Sequence, residues 1–585
     1  MSSTNPLATD VNRRLLHDSA VFGALDATGI DAVLARMAWT SLPGGWSLYR
    51  AGEPSSAVFV VKCGSLGVFV GDDRVGLLGA GDCVGTLGLV TGQSRLRAVR
   101  ATRDTELLRL DRADFDALIR EYPQAMLAAG RLAVEHVLSE DARTAVRAPR
   151  TFALLPFDQH VPARALAEQL AAAFSAYGPC QVIDSAEGGG RDSAWFAARE
   201  SAAGHLIYLD DCGRPEWRRQ CIRQADALLF AVNAGRRVEP WPEPAVTRAE
   251  NVRHRPRHLL LLHPGTDILP GAARRWRATF HGELRHHHLR DAADAARVAR
   301  LLAGRGTGLV LSGGGARGFA QVGALRALRE AGMHIDSVGG CSIGAIIGAG
   351  AALQWSDEQM RENCRRAFVE GRPLGDWTLP LVALTRGRRS SQLLQRAFGL
   401  RDIEDLPLPY FCVSSDLTRG AAAVHRQGPL WMWLRASSAV PGIQPPVFHR
   451  GHVHVDGAVI NDLPTDVMHA DGIADIIAID IRADDVLHAG VEEASLPSAW
   501  QLLGSRWRGG RERPGLFSLL LRSAMVNSGA ISNAQRTLAT LLLAPQLENI
   551  GLLDWDRFDR AIEAGYEQTV AQLATGLRRP VTLPQ

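Results

Sequence analysis

Short apolar runs separated by glycine and aspartate dominate residues 18 to about 120. Examples lie at residues 57–61, 65–70 and 106–110. Such spacing is typical of a small antiparallel barrel or jelly roll. Two stretches with apolar helical faces follow, at 114–121 and 123–138. The pattern therefore predicts a β-rich domain over 18–143, preceded by a flexible leader at 1–17.

The pattern changes to alternating strand and helix after a plausible linker at 144–150. Apolar runs typical of buried strands lie at 151–155, 205–209, 227–232 and 258–262, and helical periodicity covers 163–176 and 291–303. Alternation of this kind indicates a parallel sheet flanked by helices. We predict an α/β domain over residues 151–303.

Strand and helix alternate again from residue 305. Predicted strands at 308–312 and 335–339 each lead into a helix, at 319–331 and 343–353, and Gly332 is placed to end the first helix. Later strand-like runs are 410–414, 452–455 and 476–481. A second α/β domain over 305–565 and a tail at 566–585 complete a multidomain chain.

Composition bears on the class of the protein and on where it is located. An apolar content of 46% and a charged content of 22% are ordinary for a globular protein. A net charge of +3 does not indicate nucleic-acid binding. The eight cysteines form no C-x-x-C pair, which predicts a reduced, cytoplasmic protein. We find no signal peptide and no transmembrane run, so membrane contact is expected to be peripheral, on the inner face.

Two glycine-bearing turns carry the chemistry. The second turn, Gly340-Cys341-Ser342-Ile343-Gly344, matches the G-x-S-x-G nucleophile elbow. The first turn reads Gly313-Gly314-Gly315-Ala316-Arg317-Gly318. Because the turns follow consecutive strands joined by one helix, a right-handed crossover places both at one sheet edge. The exposed amides of the first turn can then stabilise an oxyanion beside Ser342, with Arg317 adding charge or orienting the loop.

Other interpretations of these turns stay open. G-x-G-x-x-G also marks dinucleotide sites, but the acidic residue expected near the end of the second strand is absent, and Asp336 stands at its start. A serine needs a base. Asp456, in Asp456-Gly457-Ala458 after a short strand, is a candidate base. The alternative is that Asp456-Gly457 forms an ordinary turn without a catalytic role. In a conventional triad, His469 or His488 would follow Asp456.

These three motifs together resemble the patatin-like phospholipases. The resemblance implies a serine–aspartate dyad without histidine, in which Asp456 activates Ser342. It also implies that residues 313 to 315 donate the oxyanion hydrogen bonds. Further matches at 430–437, 445–446, 461–464 and 550–554, and in the middle domain at 154–156 and 219–226, resemble the neuropathy target esterase branch. That branch hydrolyses the acyl esters of phospholipids and lysophospholipids.

The N-terminal domain resembles cyclic-nucleotide-binding domains through residues 81–89 and Arg95. In that family an arginine at the Arg95 position pairs with the cyclic phosphate, and a glutamate holds the ribose. Here Thr86 occupies the glutamate position, and Arg97 stands where a small residue is usual. Arg95 is the candidate phosphate contact for a cyclic nucleotide, although a degenerate regulatory or docking module is the favoured interpretation.

Three weaker features complete the picture. Three consecutive histidines at 286–288 cannot all face one ion on regular structure, so a solvated turn is predicted and no metal or cofactor is expected. Residues 377–384, followed by arginines, are a candidate lid. Basic residues at 506–511 before an apolar run at 516–521 suit a lipid surface.

The leading hypothesis from the sequence is a serine hydrolase of phospholipid or lysophospholipid esters. The alternative is a nucleotide-responsive regulatory protein with a vestigial hydrolase domain.

Overall fold

A computed structural model describes residues 9–71, 73–138, 148–211, 213–241, 255–481, 533–547 and 550–576. The chain divides into two compact units, the first ending at Gly304 and the second running from Arg305 to Leu583. The first unit contains both the β-rich and the middle α/β domain, and the second contains the C-terminal α/β domain.

Two antiparallel four-stranded sheets form the N-terminal jelly roll, as the sequence predicts. Their strands are β1 (Ala38–Leu42), β2 (Ser47–Tyr49), β3 (Ala57–Cys63), β4 (Leu66–Val70), β5 (Asp73–Leu78), β6 (Cys83–Val84), β7 (Ala98–Ala101) and β8 (Thr105–Asp111). The strand orders are β1-β8-β3-β6 and β2-β7-β4-β5. Apolar side chains from both sheets pack together between them, among them Val61 and Val99.

The helices of this domain are α1 (Asp10–His17), α2 (Ala27–Arg36), α3 (Thr86–Thr91), α4 (Arg112–Glu121) and α5 (Pro123–Leu138). The first of them corrects the prediction of a flexible leader over 1–17 for residues 10–17. The Thr9 side chain caps α1 by accepting the Asn12 amide, and Leu16 is fully buried. The cap and the burial of Leu16 both favour a helix here.

Six parallel strands build the middle domain in the order β10-β11-β9-β12-β13-β14. The strands are β9 (Thr151–Pro156), β10 (Cys180–Ile183), β11 (His205–Leu209), β12 (Ala227–Asn233), β13 (Arg257–Leu262) and β14 (Arg285–Leu289). Its helices are α6 (Ala163–Phe174), α7 (Ser185–Gly188), α8 (Ser193–Ala202), α9 (Pro215–Gln224), α10 (Ala272–Arg277) and α11 (Ala292–Leu302). Helices cover both faces, which explains the nearly continuous apolar runs of the central strands.

The consecutive histidines lie in strand β14, so the prediction of a solvated turn is wrong. His287 and His288 are buried, and they pair with His258 of strand β13 and with His263 just after it. The His258 Nδ1–His287 Nε2 distance is 3.0 Å, and the His263 Nε2–His288 Nδ1 distance is 2.8 Å. Burial lowers the pKa of His258 to about 3, so this pair packs as neutral rings.

An eight-stranded mixed sheet forms the centre of the second unit. Its strands are β15 (Thr307–Leu311), β16 (Ser337–Cys341), β17 (Tyr410–Asp416), β18 (Ala421–His425), β19 (Val447–His449), β20 (His452–Asp456), β21 (Asp475–Ile479) and β22 (Leu541–Leu543). The order is β19-β20-β17-β16-β15-β21-β22, with β18 pairing β17. Strands β15 and β16 are adjacent and parallel, as the crossover argument predicts.

Helices pack on both sides of this sheet. They are α12 (Phe319–Glu330), α13 (Ile343–Ala352), α14 (Asp357–Cys364), α15 (Arg388–Phe398), α16 (Leu430–Ser437), α17 (Thr465–Ala470) and α18 (Phe558–Ala574), with a π-helical turn at Arg365–Glu370. Gly332 follows α12 with a φ of 71°, the conformation expected of a helix-ending glycine. In the part of the chain that the structure describes, no helix is long and apolar enough to cross a membrane.

Candidate active site

Ser342 lies between strand β16 and helix α13, at a tight turn with unusual backbone geometry. Its φ of 53° and ψ of −124° are strained for a residue with a side chain. The turn closes only because glycines stand two residues before and two residues after Ser342. A Cβ on Gly340 would lie 2.6 Å from the Gly344 carbonyl oxygen, and one on Gly344 would lie 2.5 Å from the Leu311 carbonyl oxygen. The sequence motif therefore folds as the predicted elbow.

Asp456 faces the serine directly. Strand β20 ends at Asp456, and Ser342 Oγ donates a hydrogen bond to Asp456 Oδ2 at 2.7 Å. The other carboxylate oxygen, Oδ1, accepts the Ala458 amide at 2.9 Å. A Cβ on Gly457 would meet Cys341 Sγ at 2.8 Å, so the glycine is needed for the carboxylate to approach the elbow. Each residue of Asp456-Gly457-Ala458 thus has a structural role beside Ser342.

Burial sets the protonation of this carboxylate. Asp456 is almost completely buried, and the loss of solvent raises its pKa to about 6. Hydrogen bonds from Ala458 and Ser342 oppose part of that rise. A carboxylate with this pKa is ionised at neutral pH and is a stronger base than an ordinary aspartate.

The glycine-rich turn lies against the elbow, as predicted. A Cβ on Gly313 would be 3.2 Å from Ser342 Cβ and 3.6 Å from Ala458 Cβ. Gly314 and Gly315 have φ angles of 154° and 57°, which favour glycine. Gly318 lies immediately before helix α12, where a Cβ would press on the Ile343 side chain. The turn therefore brings backbone close to Ser342 at a place that excludes side chains.

Sequence reasoning gave no role to two residues that hold these turns. The Gly313 amide donates to Asp462 Oδ1 at 2.9 Å, so this amide is engaged within the fold. Ser437 Oγ accepts the Ser342 amide at 2.9 Å and donates to the Val413 carbonyl oxygen at 2.6 Å. Both residues lie in segments that carry the family resemblance, which was the available signal.

Arg317 orients the loop. Its Nε donates to the Ile550 carbonyl oxygen at 2.6 Å, and the Ala316 amide donates to the Leu552 carbonyl oxygen at 2.8 Å. These bonds fasten the glycine-rich turn to the segment before helix α18. Of the two roles predicted for Arg317, this geometry favours orientation.

A mainly apolar cavity opens beside Ser342. Its wall comprises side chains from helices α13 to α15, the segments around them and the 550–555 region. Representative lining residues are Ile346, Phe368, Leu394, Phe398, Ile443 and Leu553. Gly315 lines the same cavity as Ser342. A hydrocarbon chain could therefore lie in this space while an attached ester reaches the serine.

The alternative candidate residues lie elsewhere. His469 is exposed in α17, and His488 lies outside the described residues, as does the basic and apolar stretch at 506–521. Asp336 stands before β16, at the opposite end of that strand from Ser342, and its Oδ2 accepts the Thr307 amide at 3.0 Å. The large side chains of 377–384, the candidate lid, are exposed to solvent.

Arg95 lies in the jelly roll, where its guanidinium is buried. It donates to the Gly85 carbonyl oxygen at 2.8 Å and to the Ala57 carbonyl oxygen at 2.5 Å, and it stacks 4.2 Å from the centre of the Tyr49 ring. Burial lowers the pKa of Arg95. Thr86 is buried beside this segment, and its Oγ1 has no hydrogen-bond partner among the described residues.

Comparison with protein families identifies three domains. Residues 39–122 match a cyclic nucleotide-binding domain, residues 149–303 match a Neuropathy Target Esterase family P-loop like domain, and residues 309–469 match a patatin-like phospholipase. These matches confirm the family resemblance and the multidomain fold predicted from the sequence.

Individual proteins are similar over most of this chain. Human patatin-like phospholipase domain-containing protein 6 is 30% identical over 90% of this chain, which spans 44% of the human protein. An uncharacterized NTE family protein of Mycobacterium tuberculosis is 29% identical over 94% of this chain and 95% of its own length. Among solved structures, one similar to part of this chain is the regulatory domain of Toxoplasma gondii PKA with cAMP. The match covers 22% of this chain and 49% of that one, at 23% identity and a TM-score of 0.19.

Proposed function

We propose that this chain, which carries a patatin-like phospholipase domain behind a P-loop like and a cyclic nucleotide-binding domain, is a serine hydrolase of phospholipid or lysophospholipid esters. One observation carries the proposal. The Ser342 hydroxyl donates directly to a buried carboxylate, Asp456, and the serine lines an apolar cavity.

The first half of the reaction acylates the serine. Ser342 Oγ attacks the ester carbonyl carbon while Asp456 Oδ2 accepts the hydroxyl proton. The carbonyl oxygen becomes an oxyanion, which the backbone amides of Gly314 and Gly315 stabilise. Gly313 contributes close approach, since its own amide donates to Asp462. The tetrahedral intermediate then expels the lipid alcohol, which takes the proton from Asp456.

The second half releases the fatty acid. Water attacks the acyl-serine carbonyl and gives a proton to Asp456, and collapse of the second intermediate returns that proton to Ser342 Oγ. The products are a free carboxylic acid and the deacylated lipid. The apolar cavity holds the acyl chain through both halves, so binding energy away from the ester positions the carbonyl.

The test removes each member of the dyad. We expect Ser342→Ala and Asp456→Ala each to lower hydrolysis of a phospholipid and lysophospholipid panel by about 10⁴-fold, because nucleophile and base act as a unit. Ser438→Ala is a matched control, since Ser438 lines the same cavity but donates to the Leu434 carbonyl oxygen. Full activity in either dyad variant would sink the mechanism.

A covalent probe separates this function from a vestigial hydrolase domain. A fluorophosphonate should label the wild type and Ser438→Ala at Ser342, and should leave Ser342→Ala unlabelled. Absence of label on a folded wild-type protein would favour the regulatory alternative.

A further inference from the structure

An apolar loop projects from the second unit. Residues 377–385 fold back on themselves, with an antiparallel bridge between Trp377 and Thr385 and a bond from the Thr378 amide to the Leu384 carbonyl oxygen at 2.9 Å. Four large apolar side chains of this segment face solvent. Trp377 is 64% exposed, Leu379 73%, Leu381 85% and Val382 65%. We call this segment the 377–385 loop.

The base of the 377–385 loop is firmly held. The Leu384 amide donates to the Gly442 carbonyl oxygen at 2.9 Å, and the buried Thr385 hydroxyl donates to the Ile443 carbonyl oxygen at 2.8 Å. Asp376, just before the loop, accepts the Arg389 amide through Oδ2 at 3.1 Å. An ordered scaffold therefore presents these apolar side chains to solvent, and contiguous exposed apolar surface marks an interaction site.

The loop stands beside the wall of the cavity. Ile443, whose carbonyl holds the loop, lines the cavity together with Ser342. The chain on either side of the loop also enters the cavity wall, through Leu374 before it and Ser390 after it. Whatever covers the 377–385 loop therefore lies next to the wall of the cavity that Ser342 lines.

Arginines line a pocket next to this cavity. The pocket shares Asn363, Ala367, Leu393 and Ala397 with the cavity wall. Its charged lining consists of five arginines and two carboxylates: Arg366, Arg386, Arg388, Arg389, Arg396, Glu370 and Asp376. We call it the arginine pocket. Such an excess of guanidinium groups favours phosphate oxygens.

We propose that the 377–385 loop and the arginine pocket form one surface that docks on an anionic phospholipid membrane. The apolar side chains enter the boundary between headgroups and acyl chains, and the arginines bind lipid phosphates. A combination of solvent-facing Trp and Leu with adjacent arginines matches the layered chemistry of that interface. The proposal deepens the proposed function, since docking here would let a lipid pass from the membrane into the cavity.

The experiment measures vesicle binding of the full chain carrying Ser342→Ala, so that no lipid is consumed. Sedimentation with vesicles of phosphatidylcholine alone is compared with sedimentation with vesicles that also contain phosphatidylglycerol. In this background, Leu379→Ser with Leu381→Ser should weaken binding to the anionic vesicles at least ~10-fold, because two large apolar side chains no longer leave water. Arg386→Gln with Arg388→Gln should weaken it too and reduce its salt dependence. Leu400→Ser is the matched control, because Leu400 is 80% exposed but outside the loop.

Each remaining outcome has a defined meaning. Equal vesicle binding by the loop variant and its parent would overturn the proposal, as would no binding to either vesicle. A loop variant that changes the oligomeric state by light scattering, without changing vesicle binding, would assign the surface to a second copy and overturn it as well. Because binding needs no turnover, failure of lipid hydrolysis in the wild type would defeat the proposed function and leave this result standing.

Discussion

At the scale of single residues, the site depends on a carboxylate that the fold keeps out of water. Asp456 would be fully ionised well below neutral pH in solvent, but burial raises its pKa from 3.8 to about 6. The ionised form is therefore less stable in the folded protein than in the unfolded chain. Asp456 gains basicity at the expense of folding stability above pH 6, a cost that the surrounding core must offset.

This pKa predicts how activity depends on pH. Hydrolysis of a soluble ester, measured as kcat/KM, should fall about tenfold per pH unit below pH 6, because protonated Asp456 cannot accept the serine proton. The sign of the stability effect is opposite. A raised native pKa gives a stability contribution that is complete below pH 3.8 and is lost as pH rises through about 6.

Circular dichroism recorded over the same pH range provides the control. Folded signal at pH 5 with reduced activity would assign the loss to titration. An acid limb centred near pH 4 would contradict the raised pKa of Asp456.

At the scale of elements, two helices must approach closely to hold the glycine-rich turn. Helix α12 begins at that turn and packs on helix α18. Gly323 of α12 would place a Cβ against the backbone of Ile562, and Gly565 of α18 would place one against the backbone of Ala320. The two glycines therefore let the backbones touch, and larger residues would push the helices apart.

We expect Gly323→Ala to destabilise the folded protein by about 1–3 kcal/mol, because the added methyl has no space. Thermal unfolding of this variant, compared with wild type, measures the change in stability. Gly130→Ala is the control, since a Cβ at Gly130 in helix α5 meets nothing within 4 Å. That variant should be neutral or slightly stabilising. A Gly323→Ala protein as stable as wild type would show that the helices can separate at little cost.

At the scale of whole domains, the jelly roll is docked on the middle domain within the first unit. Arg103, in the turn between β7 and β8, is buried against the middle domain. It contacts Glu200 through two nitrogens at 2.5 and 2.9 Å, and Asp226 through Nε at 2.5 Å. Removing one partner of such a buried pair leaves an uncompensated charge. This contact fixes the jelly roll on the P-loop like domain within the first unit.

The same unit leads us to expect no response to cyclic nucleotides. Arg95 is already bonded to two carbonyl oxygens, and Thr86 supplies no carboxylate for a ribose. Addition of cyclic AMP or cyclic GMP should leave the hydrolysis rate unchanged, and calorimetric titration of the full chain should show no saturable heat. A saturable isotherm that disappears in Arg95→Ala would contradict this expectation and restore Arg95 as a phosphate contact.

The local patterns of the sequence were sufficient for much of the fold. Parallel strands β15 and β16, the elbow at Ser342 and the helix ending before Gly332 were predicted, because each depends on a few neighbouring residues. The histidines of β14 were misjudged because the apolar signal of a strand is weak when its side chains are imidazoles. Only the packing against His258 of strand β13 and His263 just after it shows why they are buried.

The sequence by itself determined which chemical groups are present and where the backbone can turn tightly. Glycine spacing and strand–helix periodicity act over short distances, so they can be read directly along the chain. The contact of Asp456 with Ser342 across 114 residues could be expected from the sequence only through the family resemblance. Tertiary structure alone decided that Asp462 holds Gly313 and that the 377–385 loop faces solvent. Such pairings depend on sheet order and on the packing of distant elements, which no local pattern encodes.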